Sequence, residues 1–250
     1  MPEDAKKWNV DRNSVIPLYY QLKEFIKDQI QSGVYKINEV IPSERELSEQ
    51  FEINRLTVRQ AINELVNEGF LYRRRGIGTF VSAPKIEQPL TRLTNFSNDM
   101  LSRGIVPGAR VISMQVIPAD QYMASKLQID PGEEVLQLVR LRTAEGEPMA
   151  LENSCLVYEH TKALYGMDME NKSLYQMIEN VCGIRFVRAL QTIEIGMIKA
   201  EEAKILGIDA RDPVMKIERI TYAENIEKPV EFVRSFYRAD RYKFIIEMKV

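Results

Sequence analysis

The sequence predicts an α+β chain in two parts, a helical N-terminal third closed by a short hairpin and a C-terminal region of helices on an antiparallel sheet. Three observations carry this. Between residues 17 and 69 apolar side chains recur at the three-and-four spacing of helices. Residues 70 to 81 hold two short β-prone runs around glycines. Beyond residue 110 the period switches between two and that of a helix, and one helix-turn-strand stretch recurs at an offset of 79.

Composition excludes several classes. With 250 residues, 45% hydrophobic and 28% charged, the chain can bury the cores of two domains and is not disordered. No apolar run approaches the roughly 20 residues of a membrane span. The opening Met1-Pro2-Glu3-Asp4-Ala5-Lys6-Lys7 lacks the apolar centre of a signal peptide, so a cytoplasmic location and no membrane partner are expected. The only cysteines, Cys155 and Cys182, have neither metal-ligand spacing nor a disulfide framework and read as small core residues. A single histidine, His160, cannot build a histidine-rich metal site and reads as a loop residue. No metal, no cofactor and no catalytic residue are expected. Net charge is -2, and residues 1 to 85 carry 13 Lys and Arg against 12 Asp and Glu. So slight an excess makes any nucleic-acid reading depend on where the arginines sit.

From residue 17 to 30, Leu18, Leu22, Phe25, Ile26 and Ile30 share one helical face, with Pro17 near the first turn and Gly33 past the end. In Ile41-Pro42-Ser43-Glu44-Arg45-Glu46-Leu47, Ser43 and Glu46 stand at capping-box spacing, which satisfies two free backbone amides reciprocally and starts a second helix at Ser43. That helix ends near Phe51. After Glu52-Ile53, Asn54 caps a third helix that stops before Gly69. Two short helices joined by a three-residue turn make a helix-turn-helix.

The third helix buries Val58, Ala61, Ile62, Leu65 and Val66, which leaves Arg55, Arg59 and Asn63, spaced by four, on the opposite face. An arginine at the start of such a helix can bond guanine O6 and N7 with both ends of its fork. Taken alone, a solvated charged face explains these residues equally well. Phe70-Leu71-Tyr72-Arg73 and Thr79-Phe80-Val81 then read as strands around the basic tip Arg74-Arg75-Gly76-Ile77-Gly78, a wing suited to phosphate contact and minor-groove insertion.

Pro42-Ser43-Glu44-Arg45-Glu46-Leu47, Arg55-Leu56-Thr57-Val58-Arg59-Gln60-Ala61, Leu65-Val66-Asn67-Glu68-Gly69 and Gly76-Ile77-Gly78-Thr79-Phe80-Val81 occur in that order. Together they resemble the winged helix-turn-helix of the GntR family. The resemblance implies operator double-stranded DNA as partner. Its implied contacts are Ser43, Arg45, Arg55, Thr57, Arg59, Gln60, Arg75, Gly76, Gly78 and Thr79. Glu52 departs from the pattern, since relatives usually carry glycine in this turn. A homodimer is expected, because helix-turn-helix proteins usually read two symmetric half-sites.

Further on, residues 111 to 116 alternate as a strand, 119 to 127 are helical, and 135 to 143 form a strand running into the turn Ala144-Glu145-Gly146-Glu147-Pro148. Ala124, Leu127, Ile129, Asp130, Val135, Arg140, Ala144 and Glu145 recur as Ala203, Leu206, Ile208, Asp209, Val214, Arg219, Ala223 and Glu224. A duplicated unit and a pseudo-symmetric sheet follow. The recurrence gives Arg140 a structural share, whereas Arg142 matches Thr221 and has none. Strand parity puts Leu136, Leu138, Arg140 and Arg142 on one face, so two arginines form either an anion site or a salt-bridged edge. Ser173 and Gln176 read as a second capping box, whose helix start is either simply capped or open to an anion.

This half is similar to the UTRA sensor domain of the HutC-like GntR branch, which shares its fold with chorismate lyase. The marks are Leu93-Thr94-Asn95-Phe96-Ser97, Arg140-Leu141-Arg142, Ala150-Leu151-Glu152-Asn153, Ser173-Leu174-Tyr175, Glu231-Phe232 and Tyr237-Arg238-Ala239-Asp240-Arg241-Tyr242. The resemblance implies a small-molecule effector, and likeness to members that sense amino-sugar phosphates implies a phosphorylated sugar. By that likeness Arg140, Arg142, Ser173 and Tyr175 hold the phosphate, Glu152, Glu231 and Tyr237 hold the sugar, and Thr94, Asn95 and Phe96 supply a loop contact. Asn95 stands where those members have serine. The domains expected are 15–82 for the winged helix-turn-helix, 83–92 for a linker and 93–245 for the sensor.

A lyase-like enzyme is the rival class, but the chain offers no nucleophile, base and orienter constellation. A GntR protein with an all-helical metal-binding sensor needs several histidines, and an aminotransferase fusion needs a far longer chain. A repressor released by its effector is expected, with a non-phosphorylated metabolite as the alternative ligand.

Overall fold

The computed structural model describes residues 11–74, 76–82, 85–90 and 95–248. Two compact units divide between Lys85 and Ile86.

In the first unit Pro17 opens α1 (Leu18–Gln31), Ser43 opens α2 (Glu44–Phe51) and Asn54 opens α3 (Arg55–Asn67). The predicted box at Ser43 forms: the Glu46 amide donates to Ser43 Oγ at 3.2 Å and the Ser43 amide to Glu46 Oε2 at 2.8 Å. The Leu56 amide donates to the Asn54 side chain at 2.8 Å, so α2 and α3 each start with a first-turn amide met by a cap side chain, whereas α1 has none. Leu22, Ile26, Leu47, Val58, Ile62 and Leu65 close one core. Lys23 of α1 ties into α3 through Glu68 at 2.8 Å and Glu64 at 3.3 Å. The wing is β1 (Leu71–Arg74) antiparallel to β2 (Gly78–Val81), with Arg74 opposite Gly78.

The turn between α2 and α3 keeps its shape although glycine is absent. Glu52 is left-handed, φ 52° and ψ 41°, where a Cβ costs roughly 1 to 3 kcal/mol. Glu52→Gly should remove that strain and give back part of it as unfolded-chain entropy, a net gain of about 1 kcal/mol. A raised denaturant midpoint for the N-terminal unit is the expected reading. An unchanged midpoint would mean the left-handed glutamate is unstrained.

The second unit begins earlier than the sequence suggests. Ile86–Pro89 form β3, parallel to β10 (Tyr242–Ile245), with Ile86 and Gln88 buried. A linker over 83–92 is therefore corrected at 86–89, where alternate side chains face a core and the backbone pairs with a strand. Next come α4 (Phe96–Leu101), β4 (Pro107–Pro118), α5 (Gln121–Leu127), β5 (Glu134–Ala144), β6 (Glu147–Val157) and α6 (Tyr158–Thr161). A 3-10 turn at Lys162–Leu164, α7 (Leu174–Cys182), β7 (Phe186–Gly196), α8 (Ala200–Leu206), β8 (Val214–Ala223) and β9 (Glu231–Arg238) complete it.

Six strands form one antiparallel sheet in the order β4-β5-β6-β9-β8-β7. The order reads as two mirrored halves because α5 and β5 recur as α8 and β8, as the 79-residue offset predicts. On one face α5 packs Ala124 and Leu127 with Val135 and Phe232, and α8 packs Ala203 and Leu206 with Leu141 and Val214. On the other, Leu136, Leu138 and Leu156 lie with Leu174 and Ile178 of α7, while Phe96 and Met100 of α4 lie with Tyr237 and Tyr242. Between those last two apolar clusters the sheet face turns polar.

Candidate functional site

In the first unit the outer face of α3 carries Arg55, Arg59, Gln60 and Asn63, all exposed, with Thr57 half-buried. Ser43 and Arg45 are exposed on α2, and Arg45 lies 3.6 Å from Glu49. One carboxylate that sequence reasoning missed joins these elements. Glu44 accepts from Arg59 Nε at 2.9 Å and from Arg73 of the wing at 3.3 Å, so it bridges α3 and β1. Its signal was its place in the first turn of α2 on a chain segment rich in arginine. In the wing Gly76 has φ 74°, and Gly78 has φ 155°, where a Cβ would stand 3.0 Å from Val40 Cγ2 and the half-exposed valine would have to give by a few tenths of an ångström. Thr79 is half-buried, and its carbonyl accepts from the Ile41 amide at 2.9 Å. Arg75 of the wing and Thr94 of the second unit lie outside the described residues.

In the second unit a cavity of about 40 Å³ sits on the polar part of the sheet face. Asn95, Phe96, Arg140, Arg142, Glu152, Ser173, Tyr175, Glu231 and Tyr237 all line it, so every described residue of the expected effector set comes to one place. The register explains how. Arg140 stands opposite Glu152 across β5 and β6, and Glu231 opposite Thr221 across β9 and β8.

Glu152 is the hub. Its Oε2 lies 3.0 Å from Arg140 and 3.3 Å from Arg142. Arg140 also donates to the Lys172 carbonyl at 3.1 Å, and Arg142 to Ser97 Oγ at 2.8 Å while resting over the Phe96 ring. Both guanidiniums are buried. Burial lowers Arg140 to about 10 against the pull of Glu152, which leaves it charged at neutral pH. Burial pushes Glu152 up, but Arg142 and then Arg140 outweigh it and hold the carboxyl below its usual range.

Glu231 behaves in the opposite sense. It accepts from Tyr175 Oη at 2.8 Å and Thr221 Oγ1 at 2.9 Å, yet burial raises its proton affinity more than these partners and Arg219 lower it. A carboxyl raised on folding costs stability above its folded pKa and stops doing so once protonated. Glu231→Gln should therefore raise the melting temperature of this unit at neutral pH, and the gain should vanish as pH falls toward the ordinary carboxylate range. Melting curves across pH test this, and a gain that persists in acid would overturn it.

Two details differ from expectation. Ser173 precedes α7 but makes no side-chain cap; its Oγ is buried without a partner in the cavity wall, because the residue faces the sheet rather than Gln176. Asn95 does cap, accepting from the Asn98 amide at 2.8 Å at the start of α4. The Nε atoms of Arg140 and Arg142 and Oε1 of Glu231 are likewise buried without partners. Arg140 bonds Glu152 and the Lys172 carbonyl, in keeping with a structural share, and its counterpart Arg219 lines the same cavity from β8. Pseudo-symmetry that brings one arginine to the centre brings its copy too, which is the signal that identifies Arg219. Ser97, which stands in the Leu93-to-Ser97 stretch that marks the sensor domain, is also in the wall, as are Ser154 and Ser235, which carry no sequence signal.

Residues 18–81 match the bacterial regulatory proteins of the gntR family, and residues 102–243 match the UTRA domain. The chain is 44% identical to the HTH-type transcriptional repressor NagR of Bacillus subtilis, over 95% of this chain and 97% of that one. It is 32% identical to a probable fructoselysine utilization operon transcriptional repressor of Escherichia coli O157:H7, over 96% and 98%. The crystal structure of PhnF from Mycobacterium smegmatis superposes with a TM-score of 0.65 at 35% identity, covering 91% of this chain and 99% of that one. Among the described residues no helix is long and apolar enough to cross a membrane. With an exposed arginine face on its third helix and a polar cavity in a duplicated sheet, the chain belongs to the GntR family of transcriptional regulators, in the branch whose sensor is a UTRA domain.

Proposed function

We propose that the chain is a repressor that binds operator DNA as a dimer and is released by a sugar phosphate, such as an amino-sugar 6-phosphate. The observation that carries the effector class is the convergence of Arg140, Arg142 and Arg219 on one buried cavity beside the unpartnered Ser173 hydroxyl and the N-terminus of α7. A phosphate dianion needs fixed positive charge and many donors, and arginine forks with free helix amides supply both. Charge favours it as well. Three guanidiniums against Glu152 and a Glu231 that burial inclines toward protonation leave the cavity short of negative charge. The phosphate takes Arg140, Arg142, Ser173 and Tyr175, and the sugar hydroxyls meet Glu152, Glu231 and Tyr237. A relative named for fructoselysine utilization fits a sugar-derived effector.

For the DNA half, Arg55 and Arg59 read bases in the major groove. Arg45 and the wing, from Arg75 to Thr79, take the backbone and minor groove, with Ser43, Thr57 and Gln60 at the rim. Thermal shift of the full chain against amino-sugar 6-phosphates and their unphosphorylated parents tests the effector class, since a ligand that prefers the folded state raises its melting temperature. The phosphates should stabilise and release operator DNA in a gel shift. Equal stabilisation by the parents would move the reading to a neutral metabolite.

A further inference from the structure

The two arginines on the outer face of α3 are in different states. Among the described residues Arg55, in the first turn, makes no side-chain hydrogen bond or ion pair, so its fork turns freely in water. Arg59, one turn on, is held. Its Nε donates to Glu44 Oε2 at 2.9 Å, while the other oxygen of Glu44 accepts from Arg73 Nη2 at 3.3 Å, at the foot of the wing. The remaining glutamates of α2 are engaged elsewhere. Glu46 accepts from the Ser43 amide at 2.8 Å, and Glu49 lies 3.6 Å from Arg45. Glu44 is therefore gripped at both oxygens, and its side chain is 23% exposed against 50% for Arg59.

A carboxylate on a surface that meets phosphates repels DNA of every sequence, so its presence there needs an offsetting use. We infer, resting on the reading of Arg59 as a base contact, that Glu44 is a positioning residue that aims the Arg59 fork. A guanidinium can offer two parallel N–H bonds from Nε and one Nη or from both Nη atoms, and a free side chain samples both arrangements. With Nε taken by Glu44, only the edge formed by Nη1 and Nη2 is left for guanine O6 and N7. The side chain is then ordered before DNA arrives. Less freedom is lost on binding, and a wrong base meets donors that cannot turn to suit it. The second oxygen extends the same device to the hairpin. Arg73 stands on β1 opposite Thr79, so one carboxylate holds the reading helix and the base of the wing at a fixed spacing.

The test is competition binding by the full chain as wild type, Glu44→Ala, Arg59→Ala and the double variant E44A/R59A. The duplexes are an operator selected from random sequence, that operator with each base pair replaced in turn, and random DNA. Glu44→Ala should lower base preference about tenfold at the one position where Arg59→Ala lowers it, and leave the other positions as they were. Its affinity for random DNA should hold or rise, because a charge that repels phosphate has gone. That retained affinity also shows the variant is folded. The double variant should lose no more preference than Arg59→Ala alone, as expected of two groups that act through one contact. Equal weakening on operator and random DNA would make Glu44 purely structural, and loss at a different position would make it a direct reader of cytosine. Either result, full preference in Glu44→Ala, or losses that add in the double variant would overturn the positioning role and leave Arg59 its base. An Arg59→Ala that weakens every duplex alike would overturn the base reading itself, and the positioning role with it.

Discussion

Arg142→Ala is expected to leave a chain that binds operator DNA normally and no longer releases it when a sugar phosphate is added. The guanidinium is buried, rests over Phe96, bonds Ser97 and shares Glu152 with Arg140. In the free protein its loss is tolerable, because Glu152 keeps Arg140 at 3.0 Å. In the complex its fork is one of the groups proposed to meet the phosphate. A hydrogen bond to a charged group contributes roughly 1.5 to 3 kcal/mol, so losing both ends of the fork should weaken effector binding about a hundredfold, or about 2.7 kcal/mol. An effector releases DNA only by its preference for the non-binding state, a coupling on the order of 1 to 3 kcal/mol, and a ligand that no longer binds transmits none of it. Gel shifts with titrated effector, on an operator selected from random duplexes, read this directly. A normal inducer response from the variant would remove Arg142 from the phosphate site.

Glu152→Ala should do the reverse damage, to stability before ligand. Removing the carboxylate leaves Arg140 and Arg142 buried and uncompensated, a situation that typically costs about 3 to 5 kcal/mol. The loss must depend on pH with a definite sign. The folded Glu152 is held below its ordinary value of 4.5, so its contribution is complete above that value and fades as pH falls through the depressed one. The gap between wild type and variant should therefore close in acid. Denaturant unfolding at several pH values checks both parts. A loss below about 1 kcal/mol at neutral pH would mean the guanidiniums find water once the carboxylate is gone.

What the chain shows in its letters depends on how local the cause is. The Ser43 and Glu46 box forms as spelled, since both partners lie within one turn and water surrounds them. The same spelling at Ser173 fails because tertiary packing turns that hydroxyl toward the sheet. The parity of β5 places Arg140 and Arg142 on one face with Leu136 and Leu138, as alternation requires, but only the register with β6 puts Glu152 between them. No pattern within β5 or β6 announces that pairing. β3 is illegible for a related reason: four residues carry too little periodicity, and their partner β10 lies some 150 residues away. The left-handed Glu52 keeps its turn against its own preference, because α2 and α3 on either side are fixed by one core.

The size of the cavity has a kinetic consequence. About 40 Å³ leaves room for water but far less than any hexose phosphate occupies. A ligand held there cannot arrive by collision with a finished site; the wall must first part, and the ion pairs at Glu152 must exchange partners. Loading is then governed by how often the protein opens rather than by how often ligand strikes it, and rates of binding should level off as effector concentration rises. A sensor built this way averages over brief swings in metabolite supply and answers to sustained ones.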